Sequence, residues 1–275
     1  MLSRTRRRRL AMGLETVLGL RRRGFFIPYR HADATPVPPA APGYPAVERL
    51  FAGAAPEFEA LLDRIEAQAP ALAAASGPPP APRLDQSWFP RLDAAAAWTL
   101  LAERPPRRIV EVGSGHSTRV MAAAAPTADL VCVDPAPRAA LPETARHLAE
   151  VLSERHAPRF AALEAGDVAF FDSSHILHPH TDVDLILTTL LPALREGVRV
   201  HVHDVFLPDP YPADWTWRGY AEQSGLAPWL LSGAFRPLWS SRWAVTRMGA
   251  GARPAIAALP LVAGARETSL WMERV

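Results

Sequence analysis

Lysine is absent from this chain of 275 residues; all 30 basic side chains are arginine. With 29 prolines and long alanine runs, that bias points to a GC-rich bacterial genome. Cysteine is almost absent too. Cys132 stands alone, so no disulfide can form within the chain, and a reducing, cytoplasmic compartment is expected. No apolar run approaches the ~20 residues that a membrane span needs. Residues 11–20 come nearest at the N-terminus, but they contain Glu15, run into Arg21-Arg22-Arg23 and lack a small-residue cleavage site, which argues against a signal peptide. A broad basic face is also missing. Residues 1–30 hold nine arginines against one acid, Glu15, a charge of +8. The remaining 245 residues carry 21 arginines and 27 acids, a charge of −6. Basicity is therefore local, which argues against a nucleic-acid partner.

The most informative stretch present is 109–134, IVEVGSGHSTRVMAAAAPTADLVCVD. Residues 109–112 read as a buried strand, Gly113-Ser114-Gly115 as a tight turn, 117–125 as a helix and 130–134 as a second strand ending on Asp134. This is half of a nucleotide-binding βαβ unit, with an acid 21 residues after the first glycine. The glycines let the backbone approach a ligand, and the helix aims its free N–H groups at the same point. Asp134 is placed to accept the hydroxyl hydrogens of a ribose. A dinucleotide fingerprint needs a third glycine at 118, where this chain has Thr118. A pyrophosphate would also meet the carboxylate of Glu111. A cation, such as the amino group and sulfonium of S-adenosylmethionine, suits Glu111 better.

Along the chain, 5–23 reads as a basic amphipathic helix with Leu10, Leu14, Val17 and Leu18 on one face. Either residues 1–24 make a peripheral contact with an anionic membrane surface, or the helix packs on its own core or a partner. A proline-rich connector over 36–45, a helix over 46–75 and a linker over 76–82 follow, which places a basic helical extension at 1–83 and the main domain at 84–275. In that domain, helices are expected at 91–103, 117–125 and 181–195. Strands are expected at 109–112, 130–134, 168–172 and 198–204, with a weak helix and third strand within 139–152. Segments 239–248 and 268–275 are further strand candidates. Alternation of this kind predicts an α/β, Rossmann-like, doubly wound and mostly parallel seven-stranded sheet, its last strand inserted antiparallel.

A second constellation lies at strand ends. Segment 168–175 reads VAFFDSSH and 198–204 reads VRVHVHD. Ligands in open α/β sheets bind beyond the carboxyl ends of strands, so Asp172, His175, His203 and Asp204 should converge near the nucleoside site. Two chemistries are open. His175 can serve as general base for a hydroxyl acceptor, with Asp172 and Asp204 positioning that acceptor. Alternatively, Asp172, His203 and Asp204 can ligate Mg²⁺ or another divalent metal. His201 is expected to be a packed core histidine, and His178 and His180 to be solvated. The loop 207–217 offers Tyr211, Trp215 and Trp217, either as flat surfaces for a sugar or aromatic acceptor or as a cap burying its own aromatics.

The strings EVGSGHST (111–118), VDPAPR (133–138), GDVAFFDSSH (166–175) and VHVHDVFLPDPYP (200–212), with FFIPYR (25–30) and Glu222-Gln223, resemble class I S-adenosylmethionine-dependent methyltransferases of the methyltransferase 24 type. The resemblance covers about 25–31 and most of 84–275. It implies a Rossmann-like methyltransferase fold, with cofactor contacts from Glu111, Gly113, Ser114, Gly115, Ser117, Asp134 and Asp172. In related metal-dependent sugar O-methyltransferases an Asp-x-x-His string supplies a metal ligand and a base, the pattern that Asp172 and His175 match. Those relatives carry an acidic pair where this chain has His203-Asp204. The expected activity is O-methylation of a saccharide or secondary-metabolite hydroxyl, on a small-molecule or glycan acceptor. Two other readings remain: an NAD-dependent oxidoreductase, and a non-catalytic Rossmann-like module docking through its basic N-terminal helix.

Overall fold

The apolar runs become the interior of one sheet in the computed structural model, which describes residues 4–35 and 43–275. Helix α1 (Arg4–Val17) is followed by α2 (Pro45–Gly53), α3 (Ala55–Ala75) and α4 (Arg91–Glu103). The alternation then begins with β1 (Arg108–Val112), α5 (His116–Ala124), β2 (Asp129–Val133), β3 (Ala145–Leu148), α6 (Ala157–Ala161) and β4 (Val168–Phe171). Helices α7 (Asp182–Leu185) and α8 (Leu191–Ala193) flank a π-helical stretch, Ile186–Leu190, and lead into β5 (Arg199–Val202). The chain closes with α9 (Glu222–Leu231), β6 (Phe235–Ser240), α10 (Ser241–Arg247), α11 (Pro254–Ala257) and β7 (Leu270–Arg274).

The seven strands are ordered β3-β2-β1-β4-β5-β7-β6. The first five are parallel, and β7 enters antiparallel between β5 and β6. β4 and β5 are buried along their whole length, and so is β1 apart from Arg108. That is the behaviour of parallel strands covered on both faces. The predicted seven-stranded α/β fold is the observed one.

Local departures have local causes. The helix read over 46–75 breaks at Ala54, because Pro56 in the first turn of α3 cannot continue the ladder of α2. No helix joins β2 to β3; Pro135, Pro137 and Pro142 crowd that connection. Segment 239–248, expected as a strand, is helical after Ser240, whose hydroxyl accepts from Trp243 N at 3.1 Å and caps α10. Nothing in the sequence pattern announced α9.

Helices α2 and α3, which the sequence places in the extension over 1–83, share a core with the sheet. Val47, Phe51, Phe58, Leu62 and Ile65 are fully buried in the same core as the sheet. Phe51 packs edge-on against Trp243 and Phe58 against Trp239, with ring centroids 5.9 and 6.1 Å apart. The proline linker separates nothing, since Gly77 N donates to Pro82 O at 2.9 Å and closes it into a turn. One compact unit therefore comprises 43–209 and 220–275. The other takes in the described part of 1–42 together with 210–219. In it, α1 ends at a left-handed Gly19 (φ 69°), with Leu20 N donating to Glu15 O at 2.9 Å, and Ala213–Arg218 forms a 3-10 helix. The guanidinium of Arg218 lies 3.9 Å from the ring centre of Trp215. Most of the connector read over 36–45 falls outside the described residues.

Candidate active site at the strand switch point

Strand order reverses between β1 and β4, which creates a crevice beyond their carboxyl ends. The glycine turn occupies that crevice. Gly113 has φ 77°, and a Cβ there would lie 2.1 Å from the carbonyl oxygen of Asp172. Only glycine lets the two strand ends come this close. Asp172 N donates to Val112 O at 2.8 Å and Gly113 N to Val133 O at 3.1 Å, so three strand ends are tied together at this point. Gly115 has φ 151°, another conformation that favours glycine.

Asp134 directly follows β2, beside the glycine turn. Ser114 Oγ donates to its Oδ2 and Ala136 N to its Oδ1, both at 2.8 Å. Each oxygen retains a lone pair for a further donor. Arg138 N donates to Ser114 O at 3.3 Å, which folds the loop after β2 onto the glycine turn.

Glu111 departs from expectation. It does not face an open pocket. It is fully buried, its Oε1 accepting from Ser117 Oγ at 2.6 Å and its Oε2 from Thr118 Oγ1 at 2.6 Å and Cys132 Sγ at 3.1 Å. Burial pushes its carboxyl up to about 7, against these hydrogen bonds, which favour the charged form. Thr118 Oγ1 in turn accepts from Gly115 N at 2.9 Å. Glu111, Ser117 and Thr118 thus form an internal brace that fixes the turn to α5. The geometry still disfavours a pyrophosphate, which would sit over a buried carboxyl group.

The second cluster assembles as predicted, with an added member. His175 is buried, and its Nδ1 lies 2.8 Å from Glu222 Oε2. Its Nε2 is 3.3 Å from Asp172 Oδ1 and 3.5 Å from Asp204 Oδ2. The backbone carbonyl of His175 accepts from Ala221 N at 2.9 Å, which docks the start of α9 here. His175 and Asp204 both hold left-handed backbone angles, φ 61° and 54°, which few non-glycine residues adopt. Burial opposes charge on His175, but Asp172, Glu222 and Asp204 outweigh it and raise its pKa well above the usual range. Reciprocally, Asp172 falls to about 2: burial raises it, but the His175 hydrogen bond and the His203 charge prevail.

The predicted metal set of Asp172, His203 and Asp204 is not met. Among the described residues no group of three or more His, Cys, Asp or Glu is disposed to hold a metal ion. The reason is visible: the imidazole of His175 stands between the two carboxylates, where a cation would sit. His203 Nε2 reaches Asp204 Oδ1 only at 3.8 Å. His203 packs against Phe89, ring centroids 5.5 Å apart. His201 is the core histidine expected, stacked 3.8 Å from Phe170 and bonded to Ser269 Oγ at 2.8 Å.

Sequence reasoning missed two features. Glu222 registered only as part of a resemblance, because its partner lies 47 positions away. Trp88, half exposed, stacks on His116 at the start of α5, with ring centroids 5.6 Å apart and planes 9° from parallel. Its loop is organised by Gln86, whose Oε1 accepts from Trp88 N and Phe89 N. A cavity of about 490 Å³, lined in part by Arg49, Arg64 and Arg199, opens at the opposite ends of the strands, away from all these groups.

A family model for a methyltransferase domain matches residues 110–205, a span that holds the glycine turn, Asp134, Asp172, His175 and Asp204. No curated protein matches the chain. Among solved structures, an SAH-bound Podospora anserina methyltransferase is 14% identical, with TM-score 0.42, over 92% of this chain and 99% of that one. A Thermobifida fusca YX protein assigned as a methyltransferase is 16% identical, with TM-score 0.41, over 68% of this chain and 84% of its own.

Proposed function

We propose that this protein is a class I S-adenosylmethionine-dependent methyltransferase that methylates a hydroxyl oxygen of a saccharide or secondary metabolite, a reading supported by the match of residues 110–205 to a methyltransferase-domain model. The observation that carries the reading is the close approach of Gly113 to Asp172, which sets Asp134 and the His175 cluster around one crevice. Asp134 would hold the ribose hydroxyls, with Gly113, Ser114 and Gly115 beneath the nucleoside, while Glu111 and Ser117 brace the turn. When bound, S-adenosylmethionine supplies an electrophilic methyl group on a sulfonium.

A neutral alcohol is a poor nucleophile and needs a base, which a histidine among carboxylates provides. Glu222 accepts from Nδ1–H and fixes the ring. The Nε2 side is looser. Its 3.3 and 3.5 Å separations exceed the ~2.7–2.9 Å of a charge-assisted bond, so an acceptor hydroxyl can exchange for these long contacts. As the oxygen takes the methyl group, His175 takes the hydroxyl proton, and Asp172 and Asp204 stabilise the imidazolium that forms. The proton then leaves through half-buried Asp204. The same carboxylates raise the pKa of His175 well above the usual histidine range, so activity climbs on the alkaline side of that range.

Calorimetry with S-adenosylmethionine tests the first half. Asp134→Ala should bind ~10–100-fold more weakly, the loss expected for charge-assisted bonds. His175→Gln should retain binding while turnover on a hydroxyl acceptor drops ~10²–10⁴-fold. Binding of NADH with no binding of the methyl donor would refute the assignment, and full turnover in His175→Gln would remove the base.

A further inference from the structure

The N-terminal segment combines two properties that the catalytic reading leaves unused. Nine of the 16 large apolar side chains exposed among the described residues fall between positions 10 and 29. Residues 1–30 hold nine arginines, and their one acid, Glu15, is bound to Arg23 at 3.0 Å. In α1, Leu10, Leu14 and Val17 recur at intervals of four and three and so share a stripe. They are 54, 51 and 60% exposed. The helix therefore does not pack this stripe into a core.

The segment nonetheless has a defined shape. Leu20 N and Arg21 N both donate to Glu15 O, at 2.9 and 3.1 Å, and Arg23 N donates to Thr16 Oγ1 at 3.0 Å. This clip brings Arg21-Arg22-Arg23 back to the end of α1. Phe25, Phe26 and Ile27 follow, all exposed, with Arg22 4.9 Å from the Phe25 ring centre.

We propose that residues 4–30 lie in the headgroup layer of a membrane containing anionic phospholipids. The leucine stripe and Phe25–Ile27 enter the acyl boundary, and the arginines reach lipid phosphates. At ~21 Å, the 14 residues of α1 are too short to cross the ~30 Å hydrocarbon layer, and no helix among the described residues is long and apolar enough to do so. Arg6 to Arg9 are consecutive and spread around the helix circumference. An acidic groove on a protein would select one face, whereas a lipid surface lets long side chains snorkel from all sides. The remaining residues carry −6, so an anionic surface attracts this segment alone.

Flotation of the full chain with vesicles decides the matter. Recovery is expected with phosphatidylglycerol-containing vesicles; it should fall ~10-fold or more with phosphatidylcholine alone and be lost at about 0.5 M salt. The double variant Leu14→Glu, Leu18→Glu should lower recovery by a similar factor. Its thermal unfolding and S-adenosylmethionine binding should not change, since both side chains are exposed. Equal recovery on both vesicle types, recovery on neither, or a double variant that floats like the parent overturns the proposal. Self-association that the same variant abolishes, without flotation, would assign the stripe to a second copy and overturn it too.

Discussion

Glu222 acts on the reaction through another side chain, and its removal should show that. Glu222→Gln keeps the shape but withdraws a negative charge 2.8 Å from His175 Nδ1. The rising limb of kcat/KM against pH should move to lower pH, while KM for the methyl donor stays put; an unmoved limb would mean that Glu222 is only structural. Its contact with His175 was invisible in sequence, because a carboxylate–imidazole contact depends on where α9 docks. Asp134, Asp172, His175 and Asp204 were legible because each lies just past the carboxyl end of a parallel strand, and those ends share one side of the sheet. Glu111 was read correctly as an acid beneath the glycine turn and wrongly as facing a cation. The hydroxyls of Ser117 and Thr118, six and seven positions on, claimed it first.

Element by element, the glycine turn is the most constrained connection. Gly113→Ala would place a methyl group 2.1 Å from a backbone oxygen at φ 77°. The ends of β1 and β4 would have to part, which should lower stability by at least about 2 kcal/mol and abolish donor binding. Differential scanning calorimetry of the variant checks the first effect. The interior strands were readable because burial on both faces leaves a continuous apolar run. The stretch over 239–248 misled because apolar content alone does not separate a short strand from a short helix. There the Ser240 cap decided in favour of α10.

For the molecule as a whole, buried titratable groups shape stability against pH. Glu111 is raised by burial to about 7 from an ordinary 4.5. Its contribution is complete below about 4.5 and is lost as pH rises through about 7, a swing of about 3 kcal/mol at most. Glu111→Gln should therefore flatten the fall in Tm between pH 5 and pH 8, as measured by thermal unfolding of both proteins across that range. His175, also raised, contributes below the ordinary histidine range and loses that contribution at still higher pH. Asp172, lowered to about 2, works the other way and costs stability only on strong acidification. The sequence divides the chain at 83/84, whereas α2 and α3 before that point share a core with the sheet. A proline-rich stretch reads as a linker whether or not the helices before it share a core with the sheet that follows. That sharing is a matter of packing, set by Phe51 and Phe58 against Trp243 and Trp239.

The contact between the glycine turn and the Asp172 carbonyl leaves no slack between the two halves of the crevice. Such a partition favours a compulsory sequence of arrivals, donor before acceptor and methylated product before S-adenosylhomocysteine. In steady-state runs the spent donor should then compete with fresh donor and act as a mixed inhibitor against the acceptor.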